Sequence, residues 1–236
     1  MCTLTYLPTS KGFIFTHNRD ERMNRPTSKE FRQKKVGEKT LYFPEDLEAH
    51  GSWIGFYENG TAACLLNGGT KSYKRKAPYR KSRGLVVLES FEYKSVTQFY
   101  DRYNFDDIEP FTLIIRSSSG LYKITHDVDE TKLDELNSKE TNIWSSTTLY
   151  TEEVRNKRQK WFESWLAQKP EFTPDNIRAF HNSAGDGDSE NDLIMSRWGM
   201  LKTLSITQIS VGQSKARLIY QDFMQTSGDI INVDIN

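Results

Sequence analysis

The sequence predicts an α+β fold of mostly antiparallel sheets with the helices segregated from the strands. Three observations predict it. β-branched and aromatic runs open and close the chain, while helical spacing of apolar residues is confined to its middle and later parts. No regular βαβ alternation, the mark of parallel sheets, runs through the chain. Asn59-Gly60, set between two apolar runs, is a strong hairpin signal. With 236 residues the chain is long enough for one sizeable core or two small ones, and a single domain over residues 1–236 is expected.

Taken in order, residues 2–7 and 13–19 are strand-like and flank a Pro/Ser/Gly cluster at 8–12, which predicts a hairpin with a loop of about five residues. That register sets Cys2 across from Asn18 and beside Arg19 and Asp20. Residues 22–39 are polar and read as a loop with one short element. A strand is expected at 41–43, and the Asn59-Gly60 hairpin joins 50–57 to 61–67. Residues 71–83 are rich in Lys and Arg and read as a solvated loop, with an anionic substrate group as the alternative. Two short helices are expected at 85–91 and 95–103, with Ser95 as N-cap. Strands follow at 111–115 and 121–125, and another lies within 141–148.

Residues 151–168 make the best helix. Thr151, Glu152 and Glu153 open it, and Val154, Arg158, Trp161, Phe162, Trp165 and Leu166 share a face that reads as core. Pro174 at the first helical position starts another helix, which His181 ends as a surface or capping residue. Residues 186–192 alternate carboxylates as a calcium loop does, but Asn191 and Arg197 occupy positions where glycine and glutamate are needed. A flexible acidic loop without metal is expected there. Strands at 202–209, 216–222 and 230–235 close the chain.

The chemistry concentrates at the start. Cys2 is small enough for removal of Met1, which leaves a free α-amine on the residue that carries the thiol. That amine has an ordinary pKa of about 7.7–8.0 and serves as a base near neutrality. Arg19 is expected to lower the thiol pKa, and Asp20 or Glu21 to hold the ammonium. One residue of register decides between those two carboxylates. Asn67 ends a strand before Gly68-Gly69, where a side-chain amide can serve an oxyanion; plain turn chemistry is the other reading. Cys64 reads as core.

Met1-Cys2 with Asn18-Arg19-Asp20-Glu21 resembles the NRDE-motif family, also called the transport and Golgi organisation protein 2 family. That family is similar to the N-terminal-nucleophile hydrolases, near the penicillin V acylase and bile-salt hydrolase branch. Trp53, Gly55, Gly60, Leu65 and Asn67 match its Trp-x-Gly…Gly…Leu-x-Asn pattern, and Ser82-Arg83-Gly84 its Ser-Arg-Gly. The resemblance implies an αββα four-layer sandwich. It makes Cys2, Arg19, Asp20 and Asn67 the catalytic set, with Asn18, Glu21, Trp53 and Ser146 in binding or supporting positions. Ser146 stands where related acylases carry a second asparagine, and Leu204 falls near the place of their late arginine.

The resulting expectation is an amidohydrolase that cleaves a non-peptide amide or lactam through a Cys2 thioester. The alternative is a non-catalytic protein on the same fold that binds or carries a small molecule, a lipid or haem. A formal net charge of +0 argues against a nucleic-acid partner. No apolar run reaches bilayer length. No cofactor is expected, a small-molecule substrate or ligand is, and the oligomeric state stays open. Two cysteines and the lack of a signal peptide point to the cytoplasm.

Overall fold

The computed structural model describes residues 2–71, 73–225 and 227–235. The chain divides into two compact units, one of residues up to Arg25 with Lys139–Asp234, the other of Pro26–Ser138 with Ile235.

In the first unit, strands β1 (Cys2–Thr9) and β2 (Gly12–Arg22) form the opening hairpin. Its turn is the two residues Ser10-Lys11, not five, and the register is one residue off the expected one: Cys2 faces Arg19 and Thr3 faces Asn18. The difference arises because Pro8 and Thr9 stay in the strand. On its other edge β1 is paired only over Thr3–Tyr6, so the N–H that Pro8 lacks is not needed by a ladder there.

The second unit follows without interruption. Strands β3 (Thr27–Val36), β4 (Lys39–Asp46), β5 (Ile54–Tyr57) and β6 (Thr61–Asn67) lead into helices α1 (Arg83–Ser90) and α2 (Val96–Arg102). Strands β7 (Phe111–Ser117), β8 (Gly120–His126) and β9 (Thr131–Leu136) complete its sheet, in the order β3-β4-β5-β6-β7-β8-β9. The polar stretch read as a loop is the ten-residue β3, and β9 was not foreseen. Both are edge strands, and exposed charged side chains are how edges avoid unwanted pairing. The β5–β6 turn spans Glu58-Asn59-Gly60, with Gly60 at φ +86° closing it. Ser95 caps α2 as expected, accepting from the Gln98 amide, while α1 starts two residues before the expected Leu85, with Ser82 as its cap. The described residues of the basic segment before Arg83 have neither helix nor extended strand, Arg83 opens α1, and Arg75 and Arg83 pair with Glu109. Leu41, Ala63, Leu65, Val87, Phe91, Phe99 and Phe111 build one core between this sheet and its helices.

The chain then returns to the first unit with β10 (Asn142–Ser145), α3 (Glu152–Ala167), α4 (Pro174–Ser183), β11 (Ser196–Arg197), β12 (Leu201–Val211), β13 (Lys215–Asp222) and β14 (Ser227–Asp234). The sheet order is β10-β1-β2-β12-β13-β14, with β11 against β12. Thr151 and Thr173 cap the two helices through the amides of Val154 and Asn176. Leu7 and Ile14 from the opening hairpin pack with Phe162, Ile177, Phe180 and Leu193. The α4 helix runs two residues past His181, which is a fully buried residue and not a surface cap.

Candidate active site

The opening hairpin occupies the middle of the first sheet, so its two faces have different neighbours. Thr5, Leu7, Ile14, Thr16 and Asn18 alternate onto the face covered by α3 and α4. The intervening residues line the other face. Directly opposed residues of antiparallel strands share a face, and the pairing therefore draws rows across the sheet. Cys2, Arg19, Ser205 and Asp222 form the row at the start of β1. Leu4, His17, Thr207 and Tyr220 form the next. Tyr6, Phe15, Ile209 and Leu218 form an apolar third. All twelve side chains are buried.

Cys2 is thus set on one face with Arg19 as its direct cross-strand neighbour, and the Ser146 amide donates to the Cys2 carbonyl at 2.9 Å. Burial pushes the thiol pKa up, the carboxylate of Asp20 adds to this, and Arg19 works against it. The net direction is upward, so the expected lowering by Arg19 is outweighed by loss of water. Met1 lies outside the described residues.

Asp20 points away from the thiol row. Alternation along β2 sets this direction, and the β2–β12 pairing shifts between Thr203 and Ser205, so Thr203 and not Leu204 faces Asp20 while Ser205 faces Arg19. Tyr150 Oη donates to Asp20 Oδ2 at 2.6 Å and Thr203 Oγ1 to Oδ1 at 2.7 Å. Behind Tyr150 lies Arg158, fully buried, its guanidinium 3.7 Å from the centre of the Tyr150 ring. Arg158 donates to the carbonyls of Asn191 at 3.0 and 3.1 Å and of Asp192 at 2.8 Å, and to Thr3 Oγ1. Burial raises the Asp20 pKa, and Arg158, Tyr150 and Thr203 pull it back. Burial also raises that of Tyr150 well above its ordinary value, helped by Asp20.

Asn18, expected to face Cys2, is turned to α4. Its amide donates to the carbonyls of His181 and Leu193, and its Oδ1 lies 2.6 Å from His181 Nδ1. Thr5 Oγ1 lies 2.8 Å from His181 Nε2. An amide oxygen only accepts, so Nδ1 carries the hydrogen and Nε2 accepts from Thr5. Burial, then Arg158, lowers the His181 pKa to about 3, which keeps the ring neutral. Glu21 is half-buried, with Arg22 and Arg25 at 3.9 and 3.5 Å. Burial alone would raise its carboxyl; the Arg22 amide, Arg19 and Arg25 help to hold it below the usual value.

Trp53 and Asn67 belong to the second unit. Trp53 is buried, and its carbonyl accepts from the Leu65 amide at 2.8 Å. Asn67 closes β6 opposite Phe111, ahead of Gly68 at φ +89°. In the acidic loop the side chains serve the loop itself: Asp188 accepts from the Glu190 amide and the Asn191 side chain, and Arg197 binds the Glu190 and Leu149 carbonyls. Among the described residues no three His, Cys, Asp or Glu side chains gather as metal ligands. No described helix is long and apolar enough to cross a membrane.

Sequence reasoning missed Tyr150, Thr203 and the polar role of Arg158. The one signal was an arginine on an otherwise apolar helix face, which asks for a buried anion.

Solved structures share this fold. A cysteine-to-alanine variant of conjugated bile acid hydrolase from Clostridium perfringens is 13% identical, with a TM-score of 0.56 over 100% of this chain and 93% of its own. An arginine-to-leucine variant of the same enzyme gives the same values. An N-acylethanolamine-hydrolyzing acid amidase ortholog from Caenorhabditis elegans is 11% identical, with a TM-score of 0.59 over 89% of this chain and 92% of its own. No curated protein sequence matches the chain. The fold is therefore that of the N-terminal-nucleophile hydrolases, α+β with antiparallel sheets. Residues 1–214 match the Transport and Golgi organisation 2 family, and the chain belongs to that family.

Proposed function

We propose that the protein is an N-terminal cysteine amidohydrolase that cleaves a non-peptide amide or lactam bond. The observation that carries this reading is the pairing of Cys2 with Arg19 on one face of the sheet, with Asp20 held by Tyr150 and Thr203 one residue beyond. Once Met1 is removed, the Cys2 amine takes the thiol proton, and Asp20 holds the ammonium that results. Arg19 favours the thiolate, whose sulfur attacks the acyl carbon. The resemblance adds Asn67 as a donor to the oxyanion. The leaving amine takes the proton back, and water then releases the acid. Asn18, Glu21, Trp53 and Ser146 act in support. The same reading gives a small-molecule substrate, no nucleic-acid partner and a cytoplasmic location.

One observation favours a carrier on the same fold: burial pushes the Cys2 thiol toward its neutral, inert form. A panel of acyl amides and lactams separates the two. The enzyme reading expects turnover that disappears in Cys2→Ala and falls about 10²–10³-fold in Asn67→Ala. Tight binding of a panel compound without turnover, unchanged in Cys2→Ala, supports the carrier.

A further inference from the structure

His17 lies one row from Cys2 on the same face of the sheet and is fully buried. Neither of its ring nitrogens meets a hydrogen-bonding partner among the described residues. Thr207 is its direct cross-strand neighbour, also fully buried, and Thr207 Oγ1 likewise has no partner there. The contrast with the opposite face is sharp. There His181 has both nitrogens engaged, by Asn18 and Thr5. Buried polar groups are nearly always satisfied, and two orphans side by side call for a group that both accepts and donates. Water is the smallest such group.

The position bears on the chemistry. His17 is diagonal to Cys2 across the β1–β2 pair, and such neighbours lie about 7–8 Å apart, their Cβ atoms somewhat closer. At that separation a water held by the imidazole is within reach of an acyl group carried on Cys2. Burial, then nearby positive charge, keeps His17 well below the usual histidine pKa, so its ring is neutral and has a lone pair to offer.

The geometry points to His17 and Thr207 as the residues that hold the water which resolves the Cys2 acyl-enzyme. This rests on the cysteine reading above and adds the placement of the water, which that reading leaves open. The water oxygen bonds to the acyl carbon, and one water proton passes to the Cys2 amine, free again once the leaving group has gone. The carbon–sulfur bond breaks with its electron pair on sulfur. The amine returns the proton to the thiolate, and the cycle ends with a carboxylic acid, a free thiol and a free amine.

Pre-steady-state kinetics with p-nitrophenyl acetate tests this, because the nitrophenolate burst reports acylation and the later phase reports deacylation. His17→Leu should keep the burst and slow deacylation about 10²-fold through loss of the water's placement, with acetyl accumulating on Cys2 by peptide mass. Its Tm should hold or rise, since an apolar side chain removes a buried group that lacks partners. A structural histidine would instead lower Tm and weaken both phases together, and that result overturns the proposal. Thr207→Val, nearly the same shape without the hydroxyl, should slow the same phase by a smaller factor and decides the matter should His17→Leu not fold. A wild-type burst followed by unslowed deacylation in the variants overturns this proposal alone. No burst in the wild type overturns the cysteine reading and the proposal with it.

Discussion

The carboxyl group of Asp20 sits wholly out of water, and Arg158 supplies the positive charge that answers it. Arg158 is itself fully buried, with backbone carbonyls, Thr3 and the Tyr150 ring as partners. Removing one member of such a pair leaves an uncompensated charge, which typically costs about 3–5 kcal/mol. Arg158→Met should therefore lose stability of that order in urea denaturation, and Asp20→Asn in the same chain should recover part of it. Wild-type stability in Arg158→Met would show that Asp20 does not depend on this guanidinium. The cysteine–arginine pair was legible in the sequence because a hairpin joins residues close in the chain. The Asp20 environment was not, because Tyr150, Arg158 and Thr203 arrive from sequence separations that no local pattern encodes. A single register step also moved Asn18 to the far face, where it binds His181.

The elements that sequence patterning found are those with one clean apolar face or a strong cap. The helix α3 opens after Thr151 and α4 at Pro174, both as expected. The strands missed, β3 and β9, are the two edges of the second sheet. Their outward residues, among them Arg32, Lys34, Lys132 and Asp134, carry charges that hide the strand period while protecting the edge. Replacing Arg32 and Lys34 together by valine leaves the buried Phe31 side of β3 untouched. The account expects concentration-dependent association of that variant, seen by light scattering as a mass above that of the wild type at equal concentration. A variant whose mass stays at the wild-type value throughout would show that the edge charges are not protective.

For the folded chain, two neutral histidines make stability depend on pH. His181 has its pKa lowered to about 3 and His17 well below the ordinary value, both chiefly by burial. The unfolded chain binds protons at these residues near pH 6.5 and the folded chain does not. Their contribution is therefore complete above about pH 6.5 and declines as pH falls toward the folded value, by about 1.4 kcal/mol per pH unit for each histidine once the unfolded form is protonated. Asp20, with a raised pKa, acts in the opposite sense. Comparing wild type with His181→Gln between pH 6 and 5 isolates one histidine, and the slope of unfolding free energy should drop by up to about 1.4 kcal/mol per unit. Equal slopes would mean that His181 is not held neutral.

The reading of the whole protein rests on a free Cys2 that forms an acyl-enzyme. Intact mass of cell-made protein before and after incubation with an electrophilic lactam tests it most directly. The account predicts a chain that lacks Met1 and gains one adduct, located on Cys2 and absent from Cys2→Ala. Full retention of Met1, or an adduct that persists in Cys2→Ala, would contradict it.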